Sequence, residues 1–349
     1  MTSSIIIVLY NGKKYLKACL DSILAQCNGN TEIVVIDNAS TDGGAELVQN
    51  CYPAVRLVRN KKNVGFAAAC NQGAQLGQGE ILVFLNQDTR VCPGWLDGLV
   101  APLVSNPGIG LVTSKLLLMS NPEVIDMCGQ DIHYSGLPFG IGTLKPAEQC
   151  STRKEVCAVS GASFCIRRDL WQHLGGFDPQ FFMYFEETDL SFRARLVGFS
   201  SYYSPDSVAL HDDRLSPSIN AIFYTARNRW LFLMKTWKIR TLLLLTPGLL
   251  LSELIDWSVT ILYGWKAVVA KMRGIGWLLI HFPAILKRRH LAQSTRTKPD
   301  WHLLAACSPI LKPSIRHGGV IGKGIVLIMN FFLRLNYQTA LSVEKFLDW

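Results

Sequence analysis

The stretch that decides the fold is Ile81-Leu82-Val83-Phe84-Leu85-Asn86-Gln87-Asp88, an apolar run that stops on an amide and then a carboxylate. Five large apolar side chains in succession predict a short strand buried on both faces, as in a parallel sheet. Ligands of an open parallel sheet collect just beyond the carboxyl ends of its strands. Asp88 would lie there, and its hard oxygen ligands suit Mg²⁺ or Mn²⁺. By itself, the pattern also fits a polar turn.

Strand-like and helix-like patterns alternate through the first 115 residues. Four short apolar runs predict strands: 5–9, 32–37, 55–58 and 81–85. Apolar residues at helical spacing predict helices within 15–24 and 65–76. The alternation predicts an α/β fold, with a mostly parallel sheet flanked by helices. Farther along, residues 156–166 predict one more strand, broken at Ser160-Gly161-Ala162.

The charge of the chain is uneven. Residues 1–226 carry 17 Lys/Arg and 21 Asp/Glu, whereas residues 227–349 carry 18 and 5, within a total of +9. A basic segment favours nucleic acid or an anionic membrane surface as a partner. Because the basic residues here flank runs rich in Leu, Ile and Trp, the pattern favours a membrane surface and argues against nucleic acid.

Neither the cysteines nor the start of the chain indicates an oxidising compartment. None of the ten cysteines belongs to a Cys-x-x-Cys pair or to a His/Cys cluster with zinc spacing. The apolar run 5–9 is too short for the core of a signal peptide and lacks a charged leader. We therefore expect the first part of the chain to stay in the cytoplasm.

Polar side chains also follow the second predicted strand. Asp37 opens a turn rich in Asn, Ser, Thr and Asp, which by itself could cap the next helix. Since the carboxyl ends of parallel strands share one rim of the sheet, Asp37 and Asp88 are expected on that rim. Asp37 would accept a hydrogen bond there from an N–H of a base or from a ribose hydroxyl. Gly65 would let backbone approach the same ligand. The chain contains no phosphate-loop motif, and no Gly-x-Gly-x-x-Gly follows its first strand, which argues against dinucleotide binding.

The densest group of acids is Glu186, Glu187 and Asp189, which follows the run Phe182-Met183-Tyr184-Phe185. Like charges crowded beside apolar rings raise the pKa of at least one carboxyl, which suits a general base near neutral pH. The alternative is an acidic first helical turn that complements the helix dipole. His211 ends another strand-like segment, and it is either structural or in contact with a metal or a diphosphate.

Six motifs in this order resemble glycosyltransferase family 2, the inverting nucleotide-sugar transferases with a GT-A-type fold. They extend over roughly residues 3–230: Leu9-Tyr10-Asn11-Gly12, Asp37-Asn38-Ala39-Ser40-Thr41-Asp42-Gly43, Asn63-Val64-Gly65-Phe66-Ala67, Asn86-Gln87-Asp88, Val159-Ser160-Gly161-Ala162 and residues 177–190. The third and the last motifs are similar to the rhamnosyltransferase-type branch, which builds bacterial polysaccharides or lipid-linked glycans. Each motif is modest alone, and the six together are specific.

The resemblance implies chemical roles for the acids. Glu187 would be the catalytic base, with Glu186 and Asp189 as alternatives. Asp88 would ligate Mg²⁺ or Mn²⁺, with help from His211. The chain departs from the family where Glu187 replaces the commoner Asp, which adds one methylene of reach.

The resemblance also implies binding roles. Gly161 and Ala162 would lie on the acceptor side. The nucleotide-sugar contacts would come from a set that is mostly amides: Tyr10, Asn11, Asp37, Asn38, Asn63, Gly65, Asn71 and Asn86. The second departure from the family is Asn86, which replaces the first carboxylate of the metal motif.

The implied function is transfer of a sugar, with rhamnose as a candidate, from a nucleotide-diphosphate donor to a lipid-linked or polysaccharide acceptor in the bacterial cell envelope. A nucleotidyltransferase of sugar metabolism is one alternative, although Tyr10-Asn11-Gly12 lacks the glycine density that its first loop would need. An inactive, sugar-nucleotide-binding scaffold at the membrane is the other, although the acids are all present. Neither the donor nor the oligomeric state follows from the sequence.

The expected domains are a glycosyltransferase domain over 1–230 and a basic, apolar helical region over 231–349. In the first, 1–115 would bind the nucleotide sugar and 116–230 the acceptor. Trp-containing apolar stretches among Lys and Arg favour helices that lie on the cytoplasmic face of the inner membrane, in a peripheral or monotopic protein. A helical subdomain packed on the first domain and a membrane-spanning pair are alternatives, although Pro247-Gly248 interrupts the longest apolar stretch.

Overall fold

A computed structural model describes residues 1–27, 29–212, 218–312 and 320–348 of the protein, with 320–326 described by their backbone alone. The chain divides into two compact units. Unit 1 comprises Met1–Gln130, Gly140–Ala194 and Phe199–Leu215, and unit 2 comprises Asp131–Phe139, Arg195–Gly198 and Ser216–Trp349. The expected domain boundary at residue 230 stays a prediction.

Apolar runs of the sequence form the strands. Within the described residues the strands are β1 (Ser3–Leu9), β2 (Thr31–Asp37), β3 (Arg56–Arg59), β4 (Ile81–Asn86), β5 (Thr89–Val91), β6 (Ile109–Leu118), β7 (Ile125–Met127), β8 (Gln130–Ile132), β9 (Pro138–Gly140), β10 (Lys154–Val156), β11 (Ser163–Arg167) and β12 (Ser200–His211). All of them except β8 and β9 belong to one sheet.

The sheet is mixed and mostly parallel, as predicted. Its order is β10-β12-β6-β11-β4-β1-β2-β3, with β5 and β7 on the side of β12 and β6. β1 runs parallel to β2 and β4, β2 to β3, and β6 to β12. Because β11 is antiparallel to both β4 and β6, these two also run in the same direction. The carboxyl ends of β1, β2, β4, β6 and β12 therefore share one rim.

Burial explains why the central strands are continuous apolar runs. Residues 81–85 of β4 are all buried, and β1 is buried along its whole length. Side chains that alternate along β1, such as Ile5, Ile7 and Leu9, enter one core together with Leu16 and Leu20 of the first helix.

The prediction of one broken strand over 156–166 is wrong, because the segment belongs to two strands. Lys154–Val156 pairs with β12, whereas Ser163–Arg167 pairs with β4 and β6. Between them, the Ser160 N–H donates to the hydroxyl oxygen of Thr113 at 3.2 Å, outside any ladder. The strands differ in their pairing partners, which are distant in sequence, so an apolar pattern cannot separate them.

The helices lie between the strands of unit 1 and make up most of unit 2. They are α1 (Lys13–Leu24), α2 (Gly44–Cys51), α3 (Phe66–Leu76), α4 (Trp95–Ser105), α5 (Arg168–Leu174), α6 (Glu186–Leu196), α7 (Ile219–Thr236), α8 (Ile239–Leu262), α9 (Trp265–Ile280), α10 (Phe282–Ser294), α11 (Asp300–Leu304) and α12 (Val320–Phe346). The α/β class is thereby confirmed, and the C-terminal part is helical.

Helix α8 continues through Pro247-Gly248, the pair that interrupts the longest apolar stretch of the sequence. Proline removes one backbone donor, and the amide of Asn336 on α12 strengthens the helix there. Asn336 Nδ2 donates to the carbonyl of Leu244 at 2.9 Å, and its Oδ1 accepts from the Gly248 N–H at 3.2 Å. A Cβ at residue 248 would lie 2.6 Å from Asn336 Oδ1, so glycine permits the contact.

Among the described helices, α8 is long and apolar enough to cross a membrane by length and composition. α9 and α10 pass the same test only as a pair, and a bend of 73° separates them.

Candidate active site

Polar residues collect at the rim where the parallel strands of unit 1 end. Asp37 is the last residue of β2, Asn86 of β4 and His211 of β12, and Asp88 follows β4 by two residues. Because these strands share a direction, their ends lie on one edge of the sheet, where ligands of α/β folds bind. The two carboxylates that the sequence placed on one rim, Asp37 and Asp88, are both there.

Side-chain amides tie the loops of this rim together. The Tyr10 N–H donates to Gln87 Oε1 at 2.9 Å, and Gln87 Nε2 donates to the Tyr10 carbonyl at 3.1 Å. A Cβ at Gly12 would lie 2.1 Å from Gln87 Oε1, so only glycine fits beside this bridge. Asn11, in the left-handed region (φ 48°), accepts from the Thr41 N–H at 2.9 Å. These bonds hold the loops after β1, β2 and β4 in one arrangement.

Asp37, the predicted nucleotide contact, is 1% exposed. Its Oδ1 accepts from the Ser40 N–H at 2.9 Å, and its Oδ2 lies 3.6 Å from Arg59 Nε. The neighbouring Asn38 donates to Asn63 Oδ1 at 2.9 Å, which joins the end of β2 to the loop before α3. Asp37 and Asn38 are therefore rigidly placed at the rim.

Two other predicted nucleotide contacts support the loop that leads to α6. Gly65 has φ +88°, and a Cβ there would lie 2.7 Å from the Phe182 carbonyl oxygen. Asn71 Nδ2 donates to the Phe177 carbonyl at 2.8 Å, and Asn71 Oδ1 accepts from the Phe177 N–H at 2.9 Å. The amide of Asn71 thus binds protein backbone on both sides, and its contact with a nucleotide stays a prediction.

Asp88 and His211 come together because β5 pairs with the end of β12. His211 lies opposite Thr89 in that ladder, and the Asp212 N–H donates to the Asp88 carbonyl at 3.1 Å. His211 Nε2 is 3.7 Å from Asp88 Oδ1, and its Nδ1 is 2.9 Å from Asp126 Oδ2. Burial by itself lowers the pKa of His211. The hydrogen bond to Asp126 and the negative charge of Asp88 raise it by more, so the pKa is raised overall.

These residues suit a divalent cation bound by two protein ligands. Ligand distances of about 2.1 Å place two neighbouring ligand atoms about 3 to 4.2 Å apart, which includes the 3.7 Å between Asp88 Oδ1 and His211 Nε2. Asp126 on the other ring nitrogen would orient the imidazole, as outer carboxylates do for histidine ligands. No group of three or more His, Cys, Asp or Glu side chains in the described residues could hold a metal. Remaining ligands would come from phosphate and water, as is usual for Mg²⁺.

Glu187 lies at the start of α6 and is buried. Gln130 Nε2 donates to Glu187 Oε1 at 2.7 Å. Thr188 Oγ1 donates to Gln130 Oε1 at 3.4 Å, which fixes the direction in which the amide points. Burial raises the pKa of the Glu187 carboxyl, and the bond from Gln130 acts in the opposite direction. A carboxylate with a raised pKa and fixed geometry is suited to accept a proton.

Gly161 leaves space beside the second oxygen of Glu187. A Cβ at Gly161 would lie 3.7 Å from Glu187 Oε2 and 3.6 Å from its Cδ. The neighbouring Ala162 carbonyl accepts from the Asn86 N–H at 2.9 Å, which places this motif beside the end of β4. The predicted acceptor-side residues and the predicted base are thus neighbours.

The other two acids have different surroundings. Burial, and then the charge of Glu187, raise the pKa of Glu186 well above its ordinary value. Asp189 Oδ2 accepts from Arg193 Nε at 2.7 Å, and Arg193 Nη1 and Nη2 donate to the carbonyls of Leu174 and Gly176. Asp189 therefore belongs to a structural ion pair, whereas Glu186 and Glu187 have no ion pair within the described part of the chain.

Two residues that the sequence analysis did not identify connect the ends of the site. Asp126 contacts His211 and Gln130 contacts Glu187. Asp126 and Gln130 are four residues apart, which is at most about 14 Å of extended chain. One short segment therefore contacts both the His211 end and the Glu187 end of the site. Gly129, with φ +85°, makes the turn between the two side chains. No sequence motif marks Asp126 or Gln130, because their importance lies in partners 85 and 57 residues away.

Two protein-family models match the chain. The model of the family described as Glycosyl transferase family 2 matches residues 4–116, and that of Glycosyl transferase family group 2 matches residues 81–287, more than half of the chain. An N-acetylglucosaminyl-diphospho-decaprenol L-rhamnosyltransferase of Mycobacterium tuberculosis is 26% identical over 230 residues, which cover 59% of this chain and 75% of the relative.

Two further relatives match over different shares of their length. The O-antigen biosynthesis protein RfbC of Myxococcus xanthus is 28% identical over 246 residues, which cover 65% of this chain and 19% of RfbC. The crystal structure of GalNAc-T7 with UDP, GalNAc and Mn²⁺ aligns with a TM-score of 0.57 at 23% identity, over 68% of this chain and 48% of that protein. The likeness to that structure shows a GT-A-type fold, and this chain spans about half of its length.

Proposed function

Because the chain belongs to glycosyltransferase family 2, we propose that it transfers a sugar from a nucleotide-diphosphate donor to an acceptor hydroxyl with inversion. The observation that carries the proposal is Glu187. Its carboxylate is buried, one oxygen accepts from Gln130, and the other lies beside the space that Gly161 leaves. A general base in single displacement needs this combination of a fixed position and a raised pKa.

The proposed chemistry is one displacement at the anomeric carbon. Glu187 Oε2 accepts the proton of the acceptor hydroxyl while the hydroxyl oxygen bonds to the anomeric carbon. The bond from that carbon to the diphosphate breaks, and the leaving group takes the electron pair. Gln130 is a positioning residue, because it acts through Glu187 and its bond keeps Oε2 aimed at the acceptor side. We assign the base to Glu187, since Asp189 pairs with Arg193.

We assign the leaving-group end to Asp88 and His211, which would hold Mg²⁺ or Mn²⁺. A cation bound there would supply positive charge against the diphosphate. Asp37, at the end of β2, would contact the nucleotide. The neighbouring residues predicted to bind the donor (Tyr10, Asn11, Asn38, Asn63, Gly65 and Asn86) would shape the same rim. The negative charge of Asp88 and Asp126 around His211 supports a cation at this place.

The donor and acceptor are proposed from the relatives. The Mycobacterium tuberculosis relative is named for transfer of L-rhamnose to a diphospho-decaprenol-linked sugar, and the Myxococcus xanthus relative for O-antigen biosynthesis. We propose rhamnose as the first donor sugar to test, a lipid-linked or polysaccharide acceptor of the cell envelope, and the cytoplasmic face of the bacterial inner membrane as the place of action. The domain organisation that we propose remains 1–230 for transfer and 231–349 for membrane contact.

The test is nucleoside diphosphate release from a panel of nucleotide sugars that includes a rhamnose donor, with Mg²⁺, Mn²⁺ or chelator. We expect release from one donor, dependent on metal, and loss of release in Asp88→Ala. The control is Asp97→Ala, which removes an exposed acid from α4. Binding of a donor without release from any sugar or acceptor would contradict the proposal and favour a sugar-nucleotide-binding scaffold.

A further inference from the structure

Helix α8 of unit 2 presents a narrow apolar stripe to the surroundings. Its five stripe residues are each between 61% and 69% exposed: Ile239, Leu243, Leu250, Leu254 and Ile261. Their spacing of four and seven residues places them within about 60° of arc on a helix of 3.6 residues per turn. Large apolar side chains in one continuous, exposed stripe mark an interaction surface and not a solvent-facing one.

Outside this stripe, α8 carries two carboxylates, 15% and 30% exposed, that are paired inside the unit. Asp256 Oδ2 lies 2.6 Å from Lys271 Nζ and 3.3 Å from Arg229 Nη1, and Glu253 Oε2 lies 3.3 Å from Lys271 Nζ. Arg229 also bonds to Glu253. We call these four residues the ion network. They connect α7, α8 and α9, and they orient α8 with its charges inward and its stripe outward.

Every acid of unit 2 is in an ion pair. Besides the two in the ion network, Asp131 pairs with Lys312 at 2.7 Å, Asp300 with Arg296, and Glu344 with Arg240 at 2.8 Å. The sixth, Asp348, lies 3.8 Å from Arg240. Since residues 227–349 hold 18 basic residues and five acids, the charge that remains on the surface is strongly positive.

The surplus basic side chains lie on the same helices as further exposed apolar ones. Exposed bases are Lys266 and Arg273 on α9, Lys287 on α10, and Arg334 on α12. Exposed apolar side chains on these helices are Trp265, Leu279, Phe282, Leu327, Phe331 and Phe332. Aromatic and aliphatic residues interspersed with Lys and Arg are the composition that binds the interface of an anionic bilayer.

We propose that unit 2 is a docking surface for an anionic phospholipid bilayer and that α8 lies in the plane of the membrane, with its stripe among the acyl chains and the surplus bases among the lipid phosphates. The inference rests on the membrane location proposed above and specifies how contact is made. An in-plane helix needs one apolar face, and α8 has one. A spanning α8 would carry Glu253 and Asp256, with their partners on α7 and α9, into the hydrocarbon, where charges are costly.

The first experiment measures co-sedimentation of the full chain with vesicles of phosphatidylcholine alone or of phosphatidylcholine mixed with phosphatidylglycerol. We expect tighter binding to the anionic vesicles. Leu250→Glu with Leu254→Glu should weaken that binding at least about 100-fold, because the bilayer then no longer buries two leucine side chains. Val104→Glu is the matched control, since Val104 is an exposed apolar residue of α4 in unit 1. It should bind as the wild type does.

A second pair of variants tests the charges without touching the stripe. Lys266→Gln with Lys287→Gln should weaken binding to anionic vesicles by about 30-fold and leave the weak binding to neutral vesicles unchanged. Circular dichroism must show that each variant keeps its helices. Wild-type affinity in both double variants would overturn the proposal, and so would a change of oligomeric state in the stripe variant without lipid, because the stripe would then be a protein interface.

The orientation of α8 is tested by cysteines introduced at Lys238 and Tyr263, which flank the two ends of the helix outside the stripe, in membrane vesicles. Peptide mapping after labelling with an impermeant maleimide should find both sites reactive from the same side only. Reaction from opposite sides would show a spanning helix and overturn the proposal. None of these readouts needs donor or acceptor, so they remain interpretable if the proposed transfer reaction proves wrong.

Discussion

Two groups of carboxylates in this protein have opposite surroundings. In unit 1, Glu186 and Glu187 are buried without an ion pair in the described residues, and burial raises the pKa of each. In unit 2, Glu253 and Asp256 face Arg229 and Lys271 across the ion network. Glu186 and Glu187 are therefore buried without a compensating positive charge, whereas Glu253 and Asp256 are partly exposed and have one.

The difference separates carboxylates that can exchange protons from those that hold helices together. A buried carboxylate beside a cation keeps its charge and contributes to the packing of its neighbours. Without a cation, burial favours the neutral form and raises the pKa of the carboxyl, so the group takes up a proton more readily. The two kinds of carboxylate occur even within one helical turn. Asp189 is paired with Arg193 and holds the structure together, whereas the neighbouring Glu186 and Glu187 are not paired with a cation in the described residues.

The strongest test of this distinction is Glu187→Gln. The amide cannot accept the acceptor's proton, so we expect kcat to fall by about 10²- to 10⁴-fold, the usual contribution of a general base. Donor affinity, measured by calorimetry, should stay unchanged. Glu148→Gln, on an exposed acid of unit 1, is the control. Full turnover by Glu187→Gln would assign the base elsewhere, with Glu186 next.

The second test removes a cation from the ion network. Arg229→Met leaves Glu253 and Asp256 with Lys271 as their remaining cation, and we expect the free energy of unfolding to fall by about 1.5–3 kcal/mol, as for a lost hydrogen bond to a charged group. Denaturant unfolding of the full chain measures it. The double variant Arg229→Met with Glu253→Gln should recover part of the loss. An unchanged unfolding midpoint in Arg229→Met would mean that the network does not stabilise unit 2.

The smallest effect is expected for Gln130→Leu, and its signature is a shift of pH dependence. The bond from Gln130 lowers the pKa of Glu187 against the effect of burial. Without that donor the pKa of the base rises further. Since the base must be ionised, the acidic limb of kcat/KM should move to higher pH, and activity should be lost first on the acidic side. Gln130→Asn, which keeps an amide, should give a smaller shift. A uniform loss at every pH would indicate only structural damage.

Much of the site followed from local pattern. The apolar runs of β1, β2 and β4 end on polar residues, and this predicts both the parallel sheet and the rim that holds Asp37 and Asp88. The group of acids at 186–189 was also visible, because the three lie within four positions of one helix start. These features depend on neighbours in sequence, which is the range over which periodicity is informative.

Other features could not be predicted because they depend on contacts between distant segments. Residues 156–166 resemble one broken strand, yet their two halves pair with different partners. Helix α8 continues past Pro247, and Asn336, 88 residues beyond Gly248 in the chain, supports the backbone there. Asp126 and Gln130 carry no motif at all, and only the fold brings them to His211 and Glu187.

The sequence by itself determined that this protein has a parallel α/β sheet with acids along one rim, a second acidic group farther on, and a basic, apolar C-terminal part. The reason is that strand burial and helix amphipathicity are encoded by residues close in the chain. The tertiary structure alone decided which polar groups lie beside Glu187 and Asp256. Glu187 contacts the amide of Gln130, and Asp256 contacts the amine of Lys271. Both contacts depend on packing between segments that are far apart in sequence.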